Sequence, residues 1–558
     1  MISNHFSALS RNELLTKVDN DYFDLLVVGG GITGAGIALD AVCRGLKVIL
    51  VEKEDFSWGT SSRSTKLIHG GLRYLKQMEV GLVREVGKER AIVHRIARHI
   101  VLPEKMLLPI IEGGSLGKRM SSFGLWIYDK LAGVEKEEQR KMLSKKKTLK
   151  AEPLLRKDIL QGGGLYYEYR TDDARLTIEI MKTAVGQGAI CLNYAEAEKF
   201  LYDDKGAVQG AVVKDRIDGK LVTIQARKIV NAAGPWVDKV RKLDQVKISG
   251  KRLHLTKGVH VVVNYHKLPV QQSVYFDVMD DGRMVFAIPR EGITYIGTTD
   301  TNYTKEIDAP EADGNDVNYI LKAANTIFPG VNIKPADVIS TWSGLRPLIH
   351  EDGKDPSELS RKDEVFVSDS GLISIAGGKL TGYRKMAERI VDKVANDLKE
   401  SSENYKHLKS CKTHKIKVSG AKFDTNEEMR AFLAALVNQA ESYKVEESHI
   451  ANLFWKYGTN AVSILEKNLD YLSEGMEPED SIRLAEVWYG VNFEMVTNLN
   501  DYLIRRTGRL YFERDKLEKM YPKIAEDLAK LLGLSEDQQK AQITAFEKAY
   551  KAVLKWQK

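Results

Sequence analysis

The chain has 558 residues, 43% of them hydrophobic and 29% charged, which is ordinary for a globular protein and, at roughly 100 to 200 residues per domain, suggests about three domains. Its 84 Lys+Arg against 77 Asp+Glu give a formal charge of +7, too diffuse to call for nucleic acid and compatible with anionic small molecules or an acidic membrane surface. Three scattered cysteines, Cys43, Cys191 and Cys411, form neither a C-x-x-C pair nor an even disulfide framework, so a reducing compartment is expected and no metal site is called for.

Residues 1 to 20 read as a polar arm with a helical turn near Glu13 to Val18, without the apolar stretch of a secretory signal. No later window approaches the roughly 20 apolar residues of a spanning helix, so any membrane contact is expected to be peripheral. From Asp24 to Cys43 the chain reads strand, tight turn, helix: Leu25 to Val28 run into Gly29-Gly30-Gly31-Ile32-Thr33-Gly34 and a small-residue helix. Gly29, Gly31 and Gly34 fit G-x-G-x-x-G, whose glycines make the turn, admit a pyrophosphate and let helix meet strand. A second apolar run, Val48 to Val51, ends at Glu52, near the spacing of a ribose-binding carboxylate.

Thr60-Ser61-Ser62-Arg63-Ser64-Thr65-Lys66-Leu67-Ile68-His69-Gly70-Gly71-Leu72-Arg73 carries more hydroxyl, glycine and cationic groups than a core needs. Such a run suits an anion-binding loop. Residues 79 to 100 form a helical pattern rich in Arg and His, read as a solvated face. Residues 117 to 131 set Lys118 and Arg119 ahead of Phe123, Trp126 and Tyr128, a stripe that either packs on its own domain or lies in a membrane interface.

Gly164 to Tyr169 is strand-like, and Asp172 and Asp173 suit the cap and first turn of a following helix. Short β runs at 189–200, 207–214 and 221–230 lead into Asn231-Ala232-Ala233-Gly234-Pro235-Trp236, another strand-to-helix junction. The alternation over 253–300, with turns at Asp281-Gly282 and Glu291-Gly292, predicts an inserted antiparallel substrate sheet. Then come Gly344-Leu345-Arg346-Pro347 and a third strand, glycine turn and helix at Ile373 to Arg384, where Gly378-Lys379 offers N–H groups and a cation to a developing negative charge. The spacing there disfavours a P-loop. A basic linker at 401–417 precedes helices at 427–436, 449–455, 461–465, 481–503 and from 521 onward. Arg505-Arg506-Thr507-Gly508-Arg509 within that region is read as a structural ion-pair centre.

Taken together, Val27 to Gly34, the K-L-I-H-G-G-L-R-Y core from Lys66 to Tyr74, Asn231 to Trp236, Gly297-Thr298-Thr299-Asp300, Gly344 to Leu348, Gly377 to Thr381 and the late L-x-R-R-T segment resemble the FAD-dependent glycerol-3-phosphate dehydrogenase family of aerobic respiratory type. Two local departures are Thr381-Gly382-Tyr383 and Gly508 between Thr507 and Arg509. The resemblance implies an α/β plus α+β architecture: a discontinuous Rossmann-like FAD-binding domain over 20–400, an antiparallel substrate sheet inserted at 165–225 and 250–340 as in glycine and D-amino-acid oxidases, and an all-helical C-terminal domain over 418–558. It implies FAD as cofactor, bound by Gly29, Gly31, Gly34, Glu52, Thr60, Ser61, Ser62, Lys66, Leu67, His69, Gly70, Gly71, Gly234, Gly378, Lys379, Leu380 and Thr381. The implied reaction takes sn-glycerol 3-phosphate to dihydroxyacetone phosphate by hydride transfer from C2 to FAD, and electrons pass to a membrane quinone. Arg73 and Arg346 are the candidate phosphate ligands, with Lys379 assisting. His69 or His260 is the candidate base, because an arginine with a pKa above about 12 is a poor one. The implied location is cytoplasmic, on the inner face of the cytoplasmic membrane, with a homodimer allowed and no nucleic acid. The rivals are an oxygen-using glycerophosphate oxidase, disfavoured by the short segment between Arg346 and Lys379, a structural flavin-binding protein, and an RNA-binding basic protein.

Overall fold

The structure, a computed structural model, describes residues 6–69, 80–114, 139–246, 252–349 and 363–557. Two mixed sheets and a helical C-terminal part pack around shared cores. In the first sheet the strands run Glu364–Val367, Ile373–Ala376, Leu221–Asn231, Tyr22–Val28, Val48–Val51 and Ile190–Leu192, parallel apart from the outermost, Glu364–Val367. Leu25, Leu26, Val27 and Val48 to Val51 are wholly buried, as strands covered on both faces must be. The helix Ile32–Arg44 covers one face, with Asp173–Gly186 and Tyr383–Ser401 packed beside it.

Strands Ala195–Tyr202 and Val208–Asp215 extend this first sheet through Leu221–Asn231. That corrects the expected insertion at 165–225: of those residues, only the start, within the strand Leu160–Arg170, belongs to the second sheet. An alternating pattern marks a strand but not the sheet it joins. The second sheet also takes Leu102–Ile111, paired antiparallel with Leu160–Arg170. Its centre is the predicted antiparallel region, where Leu253–Asn264 lies between Ile293–Gly297 and Val338–Ile349. The register sets Thr256 opposite Arg346, Gly258 opposite Gly344 and His260 opposite Trp342.

The helix Val80–Ile96 departs from its reading as a solvated face. Glu89, Arg90 and His94 are buried, with Glu89 paired to Arg384 at 2.5 Å and Arg90 to Glu168 at 3.0 Å. Charge is tolerated inside because Glu89 and Arg90 each meet an opposite one, while His94 Nδ1 meets the Val101 carbonyl at 2.7 Å. The 401–417 linker is docked too: the Tyr405 hydroxyl donates to Asp24 at 2.5 Å. The aromatic stripe at 117–131 lies outside the described residues.

The C-terminal helices Asn426–Val437, Glu447–Tyr457, Ala461–Ser473 and Pro478–Phe493 follow the expected order. The expected 481–503 helix instead breaks after Phe493 and resumes as a π-helical turn, Asp501–Arg506. After it, Gly508 (φ +69°) reverses the chain into the short helix Arg509–Phe512, a left-handed position that glycine adopts without strain. Val487, Leu499, Tyr502, Phe512 and Phe546 of this part share one apolar cluster with Tyr166, Phe286, Tyr295 and Trp342 of the second sheet. The helical part is therefore fused to the second sheet through a common core.

Candidate active site

The carboxyl ends of the parallel strands open into a cavity of about 780 Å³ that reaches from Glu52 to the second sheet at His260 and Arg346. Ligands of open α/β sheets bind at this edge. The glycine turn is built for close approach. A Cβ on Gly29, at φ +117°, would stand 2.7 Å from the Ala232 carbonyl oxygen, and one on Gly34 only 1.9 Å from that of Gly29. Gly34 thus packs helix on strand, while Gly29, Gly31, Ile32 and Thr33 line the cavity at the helix N-terminus, where N–H groups favour an anion. Ser61 Oγ accepts from Ile32 N at 2.9 Å and holds the Thr60–Ser62 turn against that end.

Glu52 closes the far end. Its carboxylate accepts from Gly30 N at 2.6 Å and Glu54 N at 2.9 Å. Burial pushes its carboxyl up to about 6, against the pull of these two amides.

Opposite, Arg346 Nη1 donates to Asp300 Oδ1 at 3.0 Å and to the Thr299 carbonyl at 3.2 Å, and Nη2 donates to Thr298 Oγ1 at 3.0 Å. Gly258 makes room for it, since a Cβ there would fall 2.3 Å from Arg346 Nη2. The His260 imidazole stacks on Trp342, centroids 4.7 Å apart and planes at 12°. Its other side lies against Gly297, where a Cβ would be 2.3 Å from the ring. His260 Nε2 meets Thr65 Oγ1 at 3.0 Å, and Nδ1 has no hydrogen-bond partner among the described residues. Burial, then Arg346 and Lys66, hold this imidazole well below its ordinary pKa of 6.5, so it is neutral at pH 7.

Of the residues singled out from the sequence, Gly29, Gly31, Glu52, Thr60, Ser61, Leu67, His69, Gly234, His260, Arg346, Gly378, Lys379, Leu380 and Thr381 all line this one cavity. Thr381 Oγ1 accepts from His69 N at 3.1 Å, so the second and third glycine-bearing segments touch. Lys66 and Ser62 face elsewhere. The Lys66 ammonium is buried on Asp173 Oδ1 at 2.6 Å and the Ser62 carbonyl at 3.1 Å, and the Ser62 hydroxyl turns back to Gly59. Asp173 also accepts from Ser64 N and Oγ at 2.9 and 2.6 Å, so this acid, read as a helix-turn residue, ties down the loop that carries Leu67 and His69. Gly70, Gly71 and Arg73 lie outside the described residues.

The sequence reading passed over several cavity residues. Tyr275 and Phe286 stack at 4.1 Å, and His69 meets Phe286 edge-on at 6.2 Å. Trp58, Trp236 and Arg63 also line the cavity, Arg63 being half-buried with its guanidinium 5.7 Å from the Trp58 ring. Aromatic residues on separate strands leave no spacing signal, whereas Arg63 stood inside a quoted motif and could have been weighed.

A family model described as FAD dependent oxidoreductase matches residues 24–384, and one described as the C-terminal domain of alpha-glycerophosphate oxidase matches 411–539. The aerobic glycerol-3-phosphate dehydrogenase of Bacillus subtilis is 50% identical over 92% of this chain and 92% of its own length. That of Staphylococcus haemolyticus is 49% identical over 96% of this chain and 95% of its own. This chain belongs to the aerobic glycerol-3-phosphate dehydrogenase family of FAD-dependent oxidoreductases. The glycerol-3-phosphate dehydrogenase of Bacillus halodurans, solved with FAD, matches over 99% of both chains at 44% identity and a TM-score of 0.84. FAD is the family cofactor, and the features that a dinucleotide needs are present together: a glycine turn at a helix N-terminus, and a carboxylate at the end of the next strand, both facing one elongated cavity. No helix of the described residues is long and apolar enough to cross a membrane.

Proposed function

We propose that this protein oxidises sn-glycerol 3-phosphate at C2 to dihydroxyacetone phosphate. The observation that carries this reading is the juxtaposition of Arg346 and the neutral His260 in one cavity wall, facing the dinucleotide-type turn. Gly29, Gly31 and Ser61 would hold the FAD diphosphate, Glu52 the adenosine ribose, and Leu67, His69, Gly234 and Gly378 to Thr381 the flavin end. When bound, FAD supplies a hydride acceptor.

The chain's own groups do the rest. Arg346 presents a fork suited to a phosphate, held by Thr298, Thr299 and Asp300 so that it does not collapse into the cavity. Arg73 and Lys379 complete the anion site in this reading. His260 takes the C2 hydroxyl proton on a ring nitrogen. Burial first, and the Arg346 cation beside it, depress its pKa and make it a weak base, and a phosphate dianion on Arg346 would offset that cation's share and raise the basicity of the imidazole. Substrate binding thus prepares the base. His69 is the alternative base. Electrons leave for a membrane quinone, which makes sense of peripheral attachment to the inner face of the cytoplasmic membrane. Relatives at 49% and 50% identity named as dehydrogenases do not favour an oxygen-using oxidase.

The test is anaerobic bleaching. The yellow holoprotein should lose its flavin colour on adding glycerol 3-phosphate and keep it with glycerol, which lacks the phosphate. Flavin that stays oxidised with glycerol 3-phosphate ends this reading. Comparing pH–rate profiles of His260→Gln and His69→Gln then assigns the base, and two unchanged profiles exclude both.

A further inference from the structure

The helical C-terminal part lines no stretch of the cavity, yet it ends one layer behind it. Trp342 separates the two. One of its faces carries His260 at 4.7 Å. Against the rest of the ring lie Tyr511 at 5.6 Å and Phe512 at 5.9 Å, both of the helix Arg509–Phe512, and at 5.4 Å Tyr295, of the strand on the other side of the His260 strand.

Hydrogen bonds fix this layer. Trp342 Nε1 donates to the Ser64 carbonyl at 3.2 Å, and Ser340 Oγ on the same strand donates to the Tyr511 carbonyl at 2.8 Å. Tyr295 donates its hydroxyl to the Thr65 carbonyl at 3.1 Å, beside the Thr65 hydroxyl that meets His260. The Lys66 ammonium stands 5.9 Å from the Trp342 ring centre and 5.7 Å from that of Phe512. On the far side, Arg290 stacks on Phe512 at 4.3 Å. Trp342, Tyr511 and Phe512 are at most 7% exposed, so the column has no slack: displacing one ring displaces the next.

Gly508 makes the arrangement reachable. At φ +69° it turns the chain so that Phe512 lies over it, and a Cβ there would stand 3.1 Å from the Phe512 ring. This is the glycine that interrupts the basic segment, and its place is explained by the ring it admits.

We propose that the C-terminal helical part is a working component of the active site: Tyr511 and Phe512, pressed on Trp342, are positioning residues that set where the His260 imidazole stands. The inference deepens the proposed function, since it concerns the candidate base of that reaction. The ring is held between Trp342 and Gly297, and a flat stack fixes its tilt toward the cavity more tightly than one hydrogen bond to Thr65 can. The charged and titratable groups around it are Arg346 from the Trp342 strand, Lys66 from the loop below, and Tyr295 from the adjoining strand. Lys66 is balanced by Asp173 and Arg346 by Asp300.

The test compares Phe512→Leu and Trp342→Phe with Phe546→Leu, a buried ring of the same cluster that packs on Tyr521 and Tyr550 away from the column. Two-bond proton–nitrogen spectra of the FAD-loaded protein, labelled with nitrogen-15 in histidine, read the ring directly, with His260 assigned by its loss in His260→Gln. Phe512→Leu should move the His260 signals or their titration and slow anaerobic flavin reduction about 5- to 10-fold, with KM within about twofold. Phe546→Leu, at a comparable loss of thermal stability, should do neither. Unmoved His260 signals in Phe512→Leu and Trp342→Phe overturn the inference. An unchanged pH profile in His260→Gln removes the base role alone and leaves the positional result standing, so the two failures are distinct.

Discussion

Two arginine clusters of this protein look alike in sequence and do opposite work. At the domain interface, Arg505 and Arg506 close on Asp55 at 2.5 and 2.7 Å, Arg505 also reaches Asp501 at 2.7 Å, and all four side chains are at most 2% exposed. Every charge there meets its opposite, and the cluster holds the C-terminal part against the loop between Glu52 and Thr60. In the cavity, Arg346 pairs with Asp300, while its side chain is 21% exposed. A cation sealed by acids is a fastening, whereas one hydrogen-bonded along a cavity wall and partly exposed suits the anion role proposed for Arg346. The distinction lies in the partners' positions, not in the arginines.

The sharpest way to break this comparison is to unbalance the closed cluster. Asp55→Asn leaves two buried guanidinium groups facing a neutral amide and should cost about 3–5 kcal/mol in urea unfolding of the FAD-loaded protein. A variant as stable as the parent would show that the cluster is not a fastening. The open cluster should respond in rate. Arg346→Ala is expected to lower kcat/KM for glycerol 3-phosphate roughly 100-fold, about 2.7 kcal/mol of transition-state binding, with little change in the unfolding midpoint. If the losses appeared in stability and not in rate, the two clusters would have been assigned the wrong way round.

A finer probe leaves both charges in place. Gly258→Ala puts a methyl group 2.3 Å from Arg346 Nη2, too close for the guanidinium to stay where it is, and should raise KM for glycerol 3-phosphate by about tenfold while flavin content stays normal. KM at the parent value would mean that the guanidinium position is immaterial.

The smallest expected effect is on pH dependence. Asp55 and Glu494 of the interface are held down to about 2 by their arginine and lysine neighbours against the cost of burial. Their stabilisation is fully present above the ordinary carboxylate range near 4 and is lost only as pH falls through about 2. Buried histidines have the other sign: burial pushes His99 down to about 3 and His94 to about 4, so the unfolded chain takes up protons first, and stability declines once pH drops below about 6.5. Between pH 7.5 and 6.0, His99 alone should remove about 0.8 kcal/mol from the urea stability. His99→Gln should flatten that slope, and an unaltered slope would place the loss elsewhere.

Much of the nucleotide half was legible. Gly29, Gly31, Gly34 and Glu52 could be read because their roles are local: a turn, a helix start and the end of the next strand lie within about 30 residues in a fixed geometry. His260, Arg346 and Lys379 were legible as residues, through motifs, and all three meet in one cavity. The direction of the Lys66 ammonium was not legible. A lysine beside a glycine-rich loop looks like an anion ligand, but Asp173, more than a hundred residues away in sequence, turns its ammonium inward. The strands at 190–215 were visible as strands and were expected in the inserted sheet rather than the first one, since periodicity reports which face is buried and not which neighbour does the burying.

By itself the sequence determined the parallel β-turn-α opening, the dinucleotide-type cofactor site and the residue types of the proposed phosphate and proton-transfer site. Each follows from chain-local sterics or from motifs whose spacing carries geometry. Only the tertiary structure decided that Arg346 lines the cavity partly exposed while Arg505 and Arg506 are sealed, that Gly258 and Gly297 clear space for a guanidinium and an imidazole, and that Tyr511 and Phe512 stand behind Trp342 and His260. Those facts depend on which distant side chains share a few ångströms of space, and close packing across separate strands and helices has no period along the chain.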